Sequence, residues 1–319
     1  ILKDKNYTMK VSVLIPMYNA EEYISATIDN VLKQTYSDIE VIVVDDGSTD
    51  KSYEIVQAYQ SDVVKVFRQE NKGASAARNF AFEQSSGDLI QYLDADDLLS
   101  YNKIESQVHL FKSINDKKAV ITSGIILFEG DLMSSLMIPH KQVSTNGYNK
   151  PLDFLIDICC ERNIVQSSIW LVHRDLIAET GRWNEHLSLN DDGEYFFRVV
   201  AKSSAVYFCP QGAVFYRNTP QSLSKQVSDK AVKSQLTATR IMVKEMIALE
   251  DNKRVRSAAV NFYMQYLTRF KSEFYNREAA NDVKKLGYNI NTFKKSRLHR
   301  MFYAILGDNL AKKVSRKLH

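Results

Sequence analysis

At 319 residues and 45% hydrophobic content, the chain can bury the core of one domain of about 220 residues and carry an appendage besides. Its three cysteines, adjacent at Cys159 and Cys160 and alone at Cys209, are a poor basis for structural disulfides and point to a reducing compartment, while the longest apolar run, residues 119–128, is far too short to span a bilayer. The net charge of +4 conceals a division: residues 225–319 hold 21 Lys plus Arg against 8 Asp plus Glu, or +13, which leaves −9 on the rest.

No secretory leader is expected, and residues 1–8, ahead of Met9, read as a flexible leader or an expression remnant. Residues 10–16 (KVSVLIP) form a short β-branched run stopped by proline, and residues 39–45 (IEVIVVD) form a second. Between them, residues 21–34 place Ile24, Ile28, Val31 and Leu32 at helical spacing. Further strands are predicted over 63–67 and 88–93, with helices over 50–59 and 74–85. Strands alternating with helices imply right-handed crossovers and a largely parallel α/β sheet covered on both faces. Ligands of such sheets bind beyond the carboxyl ends of the strands. The polar clusters fall at those ends: 16–19 after the first strand, 45–50 after the second and 94–97 after the fourth.

The most informative cluster closes the segment GDLIQYLDADDLL (87–99), a strand-like run ending in Asp94, Asp96 and Asp97. Side chains alternate along a strand, so Asp94 and Asp96 project the same way and repel unless something positive lies between them. Hard oxygen donors suit Mg²⁺ or Mn²⁺, and such a metal ordinarily holds phosphates. The competing reading makes these acids caps for a helix that begins near Asn102.

Four pieces stand together in order: PMYNAEEYI (16–24), VIVVDDGSTDKS (41–52), NKGASAARN (71–79) and YLDADD (92–97). They resemble the nucleotide-binding half of a family 2 glycosyltransferase of the GT-A fold, inverting and of bacterial type. The match is strong over 9–100 and weaker over an acceptor half, 101–224. The resemblance implies a nucleotide-sugar donor, with a UDP-sugar favoured by the acidic pair. In it, Pro16, Tyr18 and Asn19 lie against the base, and one of Asp45 and Asp46 accepts from a uracil N–H. Arg78 matches the arginine of the family's ARN element, near base and phosphates. Asp94 matches the ribose-binding carboxylate; beyond Ala95, Asp96 matches the ligand of a Mn²⁺ or Mg²⁺ ion bridging the diphosphate, and Asp97 turns the chain. Read without the match, 47–50 is an ordinary turn and helix cap, and Arg78 a solvated cation.

In the second half, LNDDGEYFFR (189–198) reads as a polar loop opening a helix with Tyr195, Phe196, Val199 and Val200 on its apolar side. It resembles the family's acidic-pair element, which makes Asp192 the general base, Asp191 the replacement of a usual glutamate, Glu194 the second acid and Arg198 the arginine that follows. On the residues alone, Asn190, Asp191 and Asp192 are equally good caps and dipole partners. IWLVHR (169–174) and GRWNEHL (181–187) resemble the stretch lining the acceptor side, which places Trp183 there and leaves His173 to surface or core. FYRNTPQSLS (215–224) looks like the family's tyrosine-arginine element, with Arg217 facing the diphosphate. Thr219 stands where many members carry a histidine, so the third protein ligand of the metal is open.

From residue 225 the chain is predicted to be helical and basic: Ile241, Met242, Met246 and Leu249 share one spacing, and Val260, Tyr263, Met264 and Leu267 another. Near the end, Leu298, Met301, Phe302 and Ile305 share a face flanked by Lys294, Lys295, Arg297 and Arg300. Such a region suits an anionic membrane surface, or else packs on the catalytic domain or on a second subunit as a homodimer contact. No helix-turn-helix, zinc or RNA-platform signature occurs, so no nucleic-acid partner is expected. The expected function is metal-dependent, inverting transfer of a sugar to a hydroxyl of a glycan or lipid-linked acceptor in bacterial surface polysaccharide or glycan synthesis. The expected location is cytoplasmic, peripheral on the inner face of the membrane. The alternatives are a non-catalytic nucleotide-sugar or glycan-binding module of the same fold, and a processive synthase. Against the synthase count the missing spans and a QxxRW element echoed only by Arg182 and Trp183.

Overall fold

β1 (Val11–Met17) and β2 (Ile39–Asp45) are buried at nearly every position, as continuous apolar runs must be when helices cover both faces of a sheet. This computed structural model describes residues 8–130, 138–140, 147–161, 166–218 and 228–290. β1 pairs in parallel with β2 and with β4 (Leu89–Tyr92), and β2 with β3 (Val64–Arg68). Helices α1 (Ile24–Leu32), α2 (Ser52–Gln57) and α3 (Ala74–Gln84) make the connections, each inside the window its apolar spacing marks out. Because β1 lies between β2 and β4, the chain leaves it one way and returns on the other. The crevice beyond its carboxyl end is therefore a topological switch point, where α/β sheets take ligands.

The second half continues with β5 (Leu98–Leu99), α4 (Lys103–Ile114), β6 (Ala119–Phe128), β7 (Ile138–His140), α5 (Pro151–Cys160), β8 (Leu171–His173), α6 (Arg174–Thr180), α7 (Asp191–Lys202) and β9 (Ala205–Arg217). Sheet order is β3-β2-β1-β4-β8-β6-β9-β5, with β7 on β6. The pairing here is mixed: β6 runs parallel to β9, whereas β8 runs antiparallel to both β4 and β6, and β5 antiparallel to β9. Strands of two and three residues are too short to display a period, which is why the sequence does not announce them. His173 is a buried core residue that stacks on Phe111 and accepts from the Asp175 N–H at the start of α6.

α8 (Asp229–Leu249) and α9 (Lys253–Arg269) pack on the preceding part of the chain, α8 against α7 and α9 against α5, and α10 (Glu273–Lys285) packs on α8 and α9. Met242, Met246, Val260, Tyr263 and Met264 are buried in these contacts, whereas Leu249 is exposed. The apolar faces of α8 and α9 thus lie against α7 and α5. The 224/225 boundary, Thr219, residues 1–7 and the basic segment with Leu298, Met301, Phe302 and Ile305 lie outside the described residues. No described helix is long and apolar enough to cross a membrane. Cys159, Cys160 and Cys209 form no disulfide with one another.

A buried carboxylate fixes the register of the three central parallel strands. Glu40 accepts from Ser12 Oγ (2.7 Å), from the Ser86 N–H (2.5 Å) and from the Gly87 N–H (3.1 Å), and pairs with Lys10 and Lys65. Burial alone would raise its pKa; these hydrogen bonds and the Lys10 ammonium outweigh it and hold the group at about 2. Gly87 is obligatory there, since a Cβ would stand 2.6 Å from Ser12 Oγ and 2.7 Å from Ser12 N. Gly87→Ala is expected to lower stability by about 1–3 kcal/mol, the range of forced overpacking, read as a Tm lowered by several degrees.

Candidate active site

The loops beyond β1 and β2 are stitched together. Asn19, at φ 48°, donates its N–H to Ser48 Oγ (2.9 Å) and accepts from the Thr49 N–H (2.9 Å), which leaves the neighbouring Tyr18 ring 51% exposed at the crevice while Pro16 stays buried in β1. Asp45 accepts from the Ser48 N–H (3.1 Å) and pairs with Arg68 (3.0 Å), whose guanidinium lies over Tyr53. Asp46 accepts from Gln69 Nε2 (2.7 Å) and from the N–H groups of Lys72 (2.9 Å) and Gly73 (2.7 Å). Both acids thus hold loops 47–52 and 68–73 in place, a structural task that the sequence pattern alone does not disclose.

Arg78 is buried rather than solvated. Its guanidinium pairs with Asp94 (2.8 Å) and with Asp191 (2.9 Å), over the face of Trp183 (4.5 Å). Burial opposes the charge, but the carboxylates of Asp94 and Asp191 more than compensate and raise its pKa. Ser75 Oγ adds a hydrogen bond to the same Asp191 oxygen (3.1 Å). The next residue ties α3 to the segment before α7: Asn79 donates to the Trp183 carbonyl (3.1 Å) and to Glu185 (2.8 Å), and accepts from the Trp183 N–H (2.8 Å). Trp183 is buried, stacked on Tyr195 (4.1 Å) and edge-on to Tyr92, so it backs Arg78 from within the core. One helix therefore ties the acid that ends β4 to the acid pair that opens α7.

The acids after Asp94 do not cap a helix; β5 follows them, and α4 has no side-chain cap. Ser167 Oγ (3.3 Å) donates to Asp94, and the Asp94 N–H donates to Ser168 Oγ (3.3 Å). Thr27 Oγ1 donates to the carbonyls of Ala95 (2.9 Å) and Asp97 (3.1 Å), which fixes the tip of the loop. Asp97 is fully buried and accepts from the Arg217 N–H (3.0 Å) and from Gln166 Nε2, so it turns the chain as expected. Arg217 reaches the Asp96 carbonyl (2.9 Å) and the Gly130 carbonyl and lies over Phe128 (4.4 Å) and Tyr23 (4.8 Å), which braces the loop from behind. Sequence reasoning missed Ser75, Gln166, Ser167 and Ser168; isolated hydroxyls and amides carry no periodic signal.

Asp96 is half-buried, and its carboxyl is pushed up to about 6, first by burial and then by the Asp94 charge, against Arg217. A dication beside it would offset that repulsion, and the carboxylate's hard oxygens suit Mg²⁺ or Mn²⁺. Among the described residues no cluster of three or more acidic, His or Cys side chains gathers round one point. The residues therefore fit an ion held by Asp96 and by oxygens of substrate and water, as Mg²⁺ commonly is.

Asp192 sits in the first turn of α7 beside Asp191, accepting from the Gly193 N–H (2.7 Å). Burial raises its pKa to about 7, reinforced by Asp191 and countered by Arg78. Asn190 does not cap the helix with its side chain. Glu194 is buried and pairs with Arg198 (2.6 Å), which also donates to the carbonyls of Thr180 and Arg182; this pair anchors α7 to the preceding segment.

A family model described as "Glycosyl transferase family 2" matches residues 12–159. Over residues 12–159 the chain resembles the family 2 glycosyltransferases. An uncharacterised glycosyltransferase of Rickettsia typhi is 31% identical over 208 residues, 65% of this chain and 63% of that protein. Glycosyltransferase GlyG of Streptococcus pneumoniae is 41% identical over 117 residues, 36% of this chain and 38% of its own. The crystal structure of Staphylococcus aureus TarS 1–349 in complex with UDP-GlcNAc matches with a TM-score of 0.70 at 17% identity, covering 87% of this chain and 81% of that one, and the fold is GT-A. This chain spans 63%, 41% and 31% of the lengths of its R. typhi, R. felis and R. bellii relatives.

Arg78→Gln leaves Asp94 and Asp191 facing each other with no cation between them. Breaking a buried pair costs ~3–5 kcal/mol, and the partial exposure of both acids places this loss nearer about 2 kcal/mol. Thermal unfolding should show it, and calorimetry should show weakened nucleotide binding in the same variant.

Proposed function

We propose that the chain transfers a sugar, with inversion, from a UDP-sugar to a hydroxyl of a glycan or lipid-linked acceptor in bacterial surface glycan synthesis. The observation that carries this reading is the shared guanidinium: Asp94, at the switch-point crevice, and Asp191, next to Asp192, meet on Arg78. A donor side and an acceptor side thus adjoin across one cleft. The UDP-GlcNAc held by TarS, whose fold this chain shares, supports the choice of nucleotide.

Tyr18 offers an exposed face to the base, and Asp94 retains accepting capacity for ribose hydroxyls beside its pair with Arg78. Asp96 would hold a Mn²⁺ or Mg²⁺ ion, whose chemistry is neutralisation of diphosphate charge. Asp192 takes the proton of the acceptor hydroxyl, the hydroxyl oxygen bonds to the anomeric carbon from the face opposite the diphosphate, and the bond from that carbon to the diphosphate oxygen breaks. Charge leaves with the nucleoside diphosphate, and the single displacement inverts the centre. A base whose pKa is raised to about 7 is well matched to this task near neutrality. Retention of both acid sets argues against a non-catalytic binding module.

Asp192→Asn should lower kcat by about 10²- to 10⁴-fold, the usual value of positioned proton transfer, with UDP affinity unchanged. Since Asp192 is protonated below its raised pKa, log(kcat/KM) should fall with unit slope as pH drops below about 7. A flat profile down to pH 5 would remove it from the role. UDP release measured across UDP-Glc, UDP-Gal and their N-acetylated forms, with Mn²⁺ and with or without acceptor, tests the donor. Asp96→Asn should abolish the divalent-ion dependence of UDP binding.

A further inference from the structure

α8 carries a buried hydroxyl whose bonds all go to the turn that leads into α7. Ser234 Oγ accepts from the N–H groups of Ser188 (2.9 Å) and Leu189 (3.0 Å) and donates to the Leu189 carbonyl (2.9 Å). A hydroxyl has one proton and two lone pairs, so its whole capacity is spent on two consecutive residues of one backbone. Asp191 and Asp192 follow almost at once, after a sharp entry. Asn190 between them and Leu189 sits at φ 61° and gives α7 no side-chain cap. Left-handed backbone at a residue with a side chain persists where the surroundings enforce it.

The two acids of the pair are held in different ways. The Asp191 side chain is fastened from the donor side by Arg78 (2.9 Å) and Ser75 (3.1 Å). Among the described residues, the Asp192 side chain accepts only from the N–H of its own neighbour Gly193 (2.7 Å). Its direction therefore follows from the backbone of the α7 entry. Leu189 is buried, so its N–H and carbonyl need protein partners, and Ser234 supplies both. Removing that hydroxyl orphans both groups and lets the entry relax. Water then reaches Asp192, whose pKa is raised first by burial and then by Asp191 and Asp94, against Arg78. A reacting group misplaced by about 1 Å costs roughly 10²-fold in rate.

We propose that Ser234 is a positioning residue for the Asp192 base, acting through its three bonds to the turn before α7, and that α8 is thereby part of the transfer machinery. The inference rests on the transferase reading and deepens it. UDP release from UDP-Glc, UDP-Gal and their N-acetylated forms, with Mn²⁺ and with water standing in as acceptor, reads turnover well below each variant's Tm. Carboxyl ¹³C NMR of the aspartate-labelled whole chain, with UDP and Mg²⁺, reads the Asp192 titration as the signal that Asp192→Asn lacks. Ser234→Ala should lower kcat about 10- to 10²-fold while the UDP Kd moves less than about twofold. It should also move the Asp192 titration down by about half a pH unit or more. Ser234→Cys, whose thiol keeps the shape but bonds weakly, should fall between, and it carries the test if Ser234→Ala does not fold. Met246→Ala, a buried deletion about three turns further along α8, should lower the Tm and leave kcat within about twofold. If the folded Ser234 variants keep the wild-type kcat and Asp192 titration, or Met246→Ala loses as much kcat, Ser234 only stabilises the fold and the transferase reading stands. If Asp192→Asn keeps full turnover, or UDP binds with neither ion, the transferase reading fails at that point and takes this inference with it.

Discussion

A buried guanidinium with two carboxylates to satisfy is the constraint on which the site depends. Arg78 cannot be taken out of water alone, and Asp94 and Asp191 cannot approach each other without it. The three groups therefore specify one another's positions. Because Asp94 ends a central strand and Asp191 opens a helix of the second half, their joint demand sets where α7 begins relative to the crevice. Asp192, one residue further, inherits that position and feels the same positive charge, which limits how far burial raises its pKa.

The remaining structure supports this arrangement from both sides. The Glu40 cluster locks β1, β2 and β4 in register at their amino ends, so that their carboxyl ends present the loops at fixed heights. Asn79 and the aromatic group of Tyr92, Trp183, Tyr195 and Phe196 weld α3 to the segment before α7. The carboxyl-terminal helices complete the wall behind α7, which makes them part of the catalytic half in space although they follow it in sequence.

Much of this was legible in the residues. Continuous apolar runs and 3.6-residue spacing marked β1 to β4 and α1 to α3, and the acid-rich strand ends marked the crevice. Family resemblance named Arg78 and Asp191, but nothing in the sequence placed them in contact, because an ion pair across distant segments leaves no local pattern. The same blindness hid Ser75, Ser167 and Gln166 and the loop-holding roles of Asp45 and Asp46. It also left open what covers the apolar stripes of the helical tail, since a stripe does not declare its cover; for α8 and α9 the cover is α7 and α5.

The central claim is that donor and acceptor chemistry meet across Arg78 in a single cleft. A crystal structure of the chain with UDP and Mn²⁺ tests it most directly. The account predicts ribose hydroxyls on Asp94, the diphosphate beside Asp96 and the Asp192 carboxylate facing the diphosphate across the cleft. UDP seated elsewhere, or an Asp192 carboxylate opening into a different pocket from the diphosphate, would contradict it.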